Sequence, residues 1–217
     1  MENDLIDTTD SARDAVIDLR YDDAEATCAN VYLWPVLRRV IAAHAFTELR
    51  ALDLGCGNGA TANLLATLGF DVVGVDPSAS GIAQARKAFP GIRFDLASTY
   101  DDLKTRYGAF SLVVSLEVLE HCYDPRRLAR TVFDTLEEDG LGFISTPYHG
   151  YWKNLMLAIA GKWDDHLTAL WDGGHIKFFS LRTLRMLLEE AGFRHITFLR
   201  VGRIPPLAKS MVAVVQK

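Results

Sequence analysis

Between Ala51 and Ser145 the chain repeats one pattern four times: a short apolar run followed by a stretch with helical spacing. The apolar runs lie at residues 51–54, 72–75, 92–94, 110–115 and 141–145. Parallel strands need a crossover between them, so this alternation implies a parallel sheet with helices on both faces. The pattern changes near the end. Residues 193–201 and 210–215 both read as strands, and only 202–209, with Pro205-Pro206, lies between them. Two strands joined without a helix pair antiparallel. The expected fold is therefore α/β: a doubly wound, seven-stranded sheet, mostly parallel, with an antiparallel C-terminal hairpin strand. Residues 147–179 break the alternation and read as an insertion. Upstream, residues 22–44 read as one helix, with Tyr32, Val36, Leu37 and Val40 on one side and Pro35 inside it. The expected organisation is an acidic leader and N-terminal helix at 1–45, then a domain at 46–217 with a cap at about 147–179.

Charge is unevenly distributed. Residues 1–25 hold nine acids and two bases, whereas the remainder holds nineteen acids and twenty-one bases. The body is nearly neutral, and the acidity belongs to a leader expected to be solvated. Without a basic patch, a nucleic-acid partner loses most of its electrostatic attraction. Three cysteines, Cys28, Cys56 and Cys122, with no C-x-x-C pair, fit a reduced cytoplasmic setting, and the acidic start is unlike a secretory or organelle leader.

The first apolar run ends in Gly55-Cys56-Gly57-Asn58-Gly59. Gly55-x-Gly57-x-x-Ala60 satisfies a loose dinucleotide fingerprint, but the charges oppose a pyrophosphate there. Asp53 stands two residues before the first glycine, and no Lys or Arg occurs from Ala51 to Ala85. Such a loop suits a cationic ligand. Asp53 can face its positive end, directly or through water. Asp76 ends the second strand, where it can accept from both hydroxyls of a ribose, and Asp95 ends the third, where it can accept from an adenine amino group. Strand ends of this kind line the ligand crevice of open α/β sheets.

Leu52-Asp53-Leu54-Gly55-Cys56-Gly57-Asn58-Gly59 resembles the first motif of the class I S-adenosylmethionine-dependent methyltransferases, a Rossmann-like family. Val75-Asp76-Pro77-Ser78 resembles the acidic position after their second strand. Glu117-Val118-Leu119-Glu120-His121 and the segment from Gly174 to Ser180 are similar to the ubiquinone-biosynthesis O-methyltransferase branch. The resemblance implies S-adenosyl-L-methionine as cofactor. Gly55, Cys56 and Gly57 would lie against its methionyl end, with Asp76 and Pro77 at the ribose. Asp95 and Leu96 would flank the adenine, and Leu116 and Glu117 would approach the ammonium and the methyl. An Asn/Asp-Pro-Pro-Tyr/Phe signature for base amino groups is absent; Ser115-Leu116-Glu117 stands there instead. The implied activity is methyl transfer to a small molecule, at a hydroxyl of an aromatic or apolar acceptor. A nucleotide-binding dehydrogenase and a catalytically silent module of the same fold are the alternatives.

The insertion carries Tyr148, His149, Tyr151, Trp152, Trp163, His166, Trp171 and His175, an aromatic-rich set suited to a flat acceptor or to a small core of its own. Residues 151–160 have a second reading as a membrane-touching helix, which the sparse flanking charge disfavours. An imidazole with a pKa near ~6.5 can orient or deprotonate a hydroxyl. His149, directly after the fifth strand, and His175, after Gly173-Gly174, are the candidate catalytic residues. Glu117, Glu120 and His121 share one helical face at spacings of three and four. They admit two readings: a divalent cation site, or an ammonium contact by Glu117 with its neighbours fixing the loop.

Overall fold

The computed structural model describes residues 20–167, 169–171 and 174–217. Among the described residues, helix α1 (Asn30–Ala42) leads into β1 (Arg50–Leu54), α2 (Ala60–Thr67), β2 (Asp71–Asp76), α3 (Ala79–Ala88) and β3 (Arg93–Leu96). A short helix α4 (Leu103–Tyr107), not anticipated from the sequence, precedes β4 (Phe110–Leu116). Then come α5 (Pro125–Thr135), β5 (Leu136–Pro147), the insertion helices α6 (Tyr151–Ile159) and α7 (Trp163–Leu167), and α8 (Leu181–Ala191). The hairpin β6 (His195–Val201) and β7 (Ser210–Gln216) closes the chain.

The seven strands form one sheet in the order β3-β2-β1-β4-β5-β7-β6. β1 to β5 run parallel, and β7 inserts antiparallel between β5 and β6. A dinucleotide-binding sheet has the order 3-2-1-4-5-6 without this reversed strand, so the topology departs from the dehydrogenase alternative.

Both sheet faces are covered, which is why the strands read as apolar runs rather than alternations. Leu52, Leu54, Val113 and Ile144 pack on one face with Leu128 and Val132 of α5 and Leu184 and Leu188 of α8. Ala51, Leu112, Val114 and Phe143 pack on the other with Leu65, Ile82 and the α1 residues Leu33 and Leu37. The last two are wholly buried, worth about 2 kcal/mol each. Local signals set the helix ends. Asp124 accepts from the amides of Arg126 and Arg127 at the start of α5. Ser180 and Thr183 form a capping box on α8, which Gly192 ends at φ 117°.

The helix expected from residue 22 begins only at Asn30. Residues 21–25 run instead as an extended strap over the glycine loop. Asn58 Nδ2 donates to the carbonyls of Asp23 (3.0 Å) and Glu25 (2.9 Å), and Gln84 Nε2 donates to that of Asp22 (3.1 Å). These side chains take up carbonyls that a helix would have used itself. Residues 1–19 of the expected acidic leader lie outside the described residues. Among the described residues, no helix is long and apolar enough to cross a membrane.

Candidate active site

The glycine loop is built by β1 running into α2, with β2 beside it. The amides of Gly55 and Cys56 both donate to the carbonyl of Val75, at 2.8 and 3.0 Å. The Gly57 amide donates to Asp76 Oδ2 and the Ser78 amide to Asp76 Oδ1, each at 2.8 Å. Asp76 therefore bolts the loop to the end of β2. Gly57 needs to be glycine: its φ is 51°, and a Cβ there would lie 2.6 Å from the Tyr21 hydroxyl oxygen. Gly55, at φ 81°, would drive a Cβ into Val118.

A cleft opens at this edge of the sheet. Gly55, Asp76, Pro77, Leu116 and Glu117, all expected from the sequence, line it, and Tyr21 from the strap stands over it. Tyr21 was not anticipated; its sole sequence signal was an aromatic residue within an acidic leader. Cys56 and Gly57 lie in the loop behind the wall rather than on it. Asp53 is 1% exposed and sits beneath the loop, with its Oδ2 unpartnered. Burial, and then the Asp76 charge, push its carboxyl up to about 8. Such a group favours a cation nearby, because a positive charge would restore its ionised form.

Asp95 and Leu96 do not line the cleft. Arg86 (3.5 Å), Arg93 (3.0 Å) and Arg106 (3.3 Å) surround the Asp95 carboxylate, and the Tyr107 hydroxyl donates to it at 2.9 Å. Partial burial opposes its ionisation, but Tyr107, Arg93 and Arg106 outweigh that and hold its carboxyl below the usual range. Three arginines near one side chain compete for its lone pairs, and the segment after β3 brings Ala97, Ser98 and Thr99 to the cleft. Leu96 is 54% exposed.

A second cavity, of about 490 Å³, adjoins the first, a volume suited to a small molecule. Pro147 and Ser210 come to it from the sheet, Lys153, Met156 and Leu157 from α6, and Arg203 from the turn before β7. Glu117 lines both cavities. Its backbone sits at φ 54°, a strained conformation for a residue with a side chain. The strain is held by its surroundings: the Glu117 amide donates to Ser145 Oγ (3.0 Å), while Ser145 Oγ (2.7 Å) and Ser210 Oγ (3.0 Å) lie against its two carboxylate oxygens. Burial raises this carboxyl to about 7 against the pull of those hydroxyls.

The two candidate histidines separate. His175 lines the second cavity. His149 lines neither cleft. Its amide donates to the Phe179 carbonyl at 3.2 Å, and its ring packs against Phe178 and His166, with centroids at 5.0 and 5.5 Å. The chain turns at this bond, sending the ring toward α6 and α7. Burial holds both imidazoles neutral, near about 4. His166 joins His175 on the wall of the second cavity, but the tyrosines and tryptophans of the insertion line neither cavity. Tyr148 packs into the core, while Tyr151, Trp152, Trp163 and Trp171 are exposed.

Glu120, His121 and His175, rather than Glu117 with the first two, bring ligand atoms within 4.8 Å of one another. Glu120 is wholly buried and its Oε1 has no hydrogen-bond partner. Burial, and then Glu117, push its carboxyl well above the usual range. An unpartnered buried carboxylate oxygen beside two imidazoles fits a divalent cation. The Glu120 carbonyl also accepts from the amides of Ile176 (2.9 Å) and Lys177 (3.0 Å), which delivers His175 to this point.

A glycine loop closed on an acidic strand end, at the carboxyl edge of a sheet whose last strand is reversed, defines an α/β class built for a polar ligand beside a second, separate cavity. The chain belongs to the methyltransferase-domain family, which it matches over residues 29–197. It is 34% identical over 153 residues to the ubiquinone biosynthesis O-methyltransferase of Azorhizobium caulinodans, covering 67% of this chain and 58% of that protein. It is 32% identical over 159 residues to the enzyme of that name from Ruegeria pomeroyi, covering 70% and 62%. The chain thus spans about three fifths of these relatives. An S-adenosylmethionine dependent methyltransferase from Mesorhizobium loti matches the fold with a TM-score of 0.66 and 24% identity, over 85% of this chain and 97% of that one. Phosphoethanolamine N-methyltransferase 2 of Haemonchus contortus, solved with S-adenosyl-L-methionine, gives 0.64 and 15%, over 85% and 51%. At these identities the likeness to the solved structures is one of fold.

Proposed function

We propose that this protein transfers a methyl group from S-adenosyl-L-methionine to a hydroxyl of a small, largely apolar molecule. The observation that carries this reading is a cationic-ligand cleft, with Asp76 on its wall and Asp53 beneath it, joined through Glu117 to a second cavity of small-molecule size. The cofactor, when bound, supplies an electrophilic methyl. The chain's own residues do the rest. Gly55 and Gly57 let the loop backbone close on the methionyl end, Asp76 and Pro77 hold the ribose, and residues 97–99 border the adenine. Leu116 lines the cofactor cleft, and Glu117 stands where the two cavities meet. Helix α6 walls the acceptor side, and a site closed to water there favours an in-line displacement between aligned groups. His175, neutral at pH 7, orients or deprotonates the acceptor hydroxyl.

A second reading of the same corner is supported by the unpartnered Oε1 of Glu120: Glu120, His121 and His175 hold a divalent cation. It would supply Lewis acidity toward the acceptor oxygen, and His175 would then be a ligand rather than a base. A tritiated-methyl screen against phenols, quinols, hydroxy acids and amines, with calorimetry of S-adenosylhomocysteine and NAD, tests the function. We expect micromolar S-adenosylhomocysteine binding, no NAD binding, and label appearing in a hydroxyl acceptor. Binding of NAD alone would overturn the reading. Activity that survives exhaustive chelation would remove the cation.

A further inference from the structure

The second cavity holds a charge that the methyl-transfer chemistry leaves without a use. Lys153 lies on α6, a helix whose other large side chains are largely exposed, yet Lys153 itself is only 9% exposed. Its Nζ donates to the Lys209 carbonyl at 3.2 Å. An ammonium has three N–H donors, and no carboxylate of the described residues comes within ion-pair distance of this one. Arg203 lines the same cavity, makes no ion pair with a described residue, and reinforces the positive field at Lys153. A buried cation facing a second cation is costly unless an anion joins them.

Of the other titratable groups described at this cavity, Glu117 alone acts on Lys153 with an opposite charge, and it does so from beyond ion-pair distance. His166 and His175 are held neutral by burial, so neither supplies a negative charge. Lys209 is a further cation, with its Nζ over the Tyr32 ring at 5.3 Å from the centroid. Glu117 is the sole acid on the wall among the described residues, and Ser145 and Ser210 engage its oxygens. The remaining wall is apolar: Met156, Leu157, Ala160 and Leu207.

We propose that this cavity is an acceptor site selective for amphipathic oxyanions: Lys153 and Arg203 hold a carboxylate or phosphate group while α6 and Leu207 receive an apolar body. The inference deepens the methyl-transfer reading and rests on it for the word acceptor; the binding site itself stands on the geometry. Burial and Arg203 lower the Lys153 ammonium to about 8, so it is still mostly charged at pH 7, and a bound oxyanion would raise it again.

The test is fluorescence titration of the full chain, saturated with S-adenosylhomocysteine, with 2-naphthoate and its neutral isostere 2-naphthamide. The expected result is a preference for the carboxylate of about tenfold or more, since charge-assisted hydrogen bonds are at stake. Arg203→Gln, at an exposed position that leaves the core untouched, and Lys153→Met should each remove most of that preference. A 2-naphthyl phosphate arm runs beside them. Either anion binding more tightly than the amide supports the proposal, and the tighter of the two names the oxyanion. Equal binding of naphthoate, naphthyl phosphate and naphthamide to the wild type overturns it, as does a preference unchanged in Arg203→Gln. Calorimetry of S-adenosylhomocysteine on the same samples separates the two claims. Its failure to bind sinks the methyl-transfer reading, whereas its binding without an anion preference sinks the oxyanion site alone.

Discussion

The two cavities meet at Glu117 but are built differently. The first comes from chain-local turns: β1 into the glycine loop, β2 into Asp76-Pro77-Ser78, and β4 into Leu116-Glu117. The second is assembled from distant pieces: Tyr32 of α1, Lys153 of α6, Arg203 before β7, and Ser210 of β7 itself. A cavity of the first kind is fixed by hydrogen bonds between neighbouring strand ends, such as the two amides on Asp76. One of the second kind depends on how an insertion docks. The difference teaches where to expect a common ligand and where a particular one. The loop holds whatever the fold holds, and the insertion selects.

The largest effect should fall on the first region alone. Asp76→Ala removes the acceptor of two backbone amides as well as the wall of the cleft. S-adenosylhomocysteine affinity should drop about a hundredfold by calorimetry, the loss expected for charged hydrogen bonds left unmade. Naphthoate binding in the second cavity should stay within twofold. A matched loss at both sites would show that the two regions are one cooperative unit.

A somewhat smaller effect tests the seam between them. If Glu120, His121 and His175 hold a divalent cation, saturating Mg²⁺ or Mn²⁺ should raise the melting temperature by about 5 °C. Glu120→Gln should abolish that rise, because a neutral amide is a weak ligand. An equal rise in both proteins would place the cation elsewhere on the chain.

The third effect belongs to the second region. With Lys153 lowered to about 8 by burial and Arg203, its ammonium is lost as pH rises through that value. Naphthoate binding should weaken a little as Glu117 ionises near pH 7, and then, as Lys153 loses its proton, by at most about a further tenfold per pH unit. Lys153→Met should flatten this slope, and Arg203→Gln should keep it. A slope that persists in Lys153→Met would assign the titration to another group.

The same contrast explains what could be read from the sequence. The sheet, its reversed last strand, the glycine loop and Asp76 were legible because each rests on residues near one another in the chain. Asp95 misled: a strand-end acid looks alike whether it faces a ligand or a ring of arginines, and only the fold brings Arg86, Arg93 and Arg106 to it. The strap was hidden because helical spacing continues upstream of Asn30, while Asn58 of the glycine loop and Gln84 of α3, which draw the strap's backbone away, are distant in the chain. Lys153 was not legible, since no local pattern announces a buried lysine. His121 and His175, more than fifty residues apart, meet because the Glu120 carbonyl takes up the amides of Ile176 and Lys177 and the Gly174 carbonyl lies 3.2 Å from His121 Nδ1.

The smallest effect concerns His149, which touches neither cavity and packs between Phe178 and His166. Burial, followed by the Lys153 charge, lowers its imidazole to about 4, against an ordinary ~6.5 when unfolded. The sign follows from proton binding. As pH falls from 6.5 to 4 the unfolded chain takes up a proton that the folded ring refuses, so the folded state loses stability over that window. The ring is only partly buried and solvent screens it, so the contribution is roughly 1 kcal/mol rather than the full shift. His149→Gln keeps a polar side chain and removes the titration. Its unfolding free energy should therefore fall by about 1 kcal/mol less than that of the wild type between pH 7 and pH 4.5, measured by urea denaturation. His175 and Glu117 titrate in both proteins and cancel in the difference. Turnover and acceptor KM at pH 7.5 should stay within twofold. A hundredfold loss of kcat at unchanged KM would instead bring this ring to the reacting groups, and the insertion would then do chemistry as well as select.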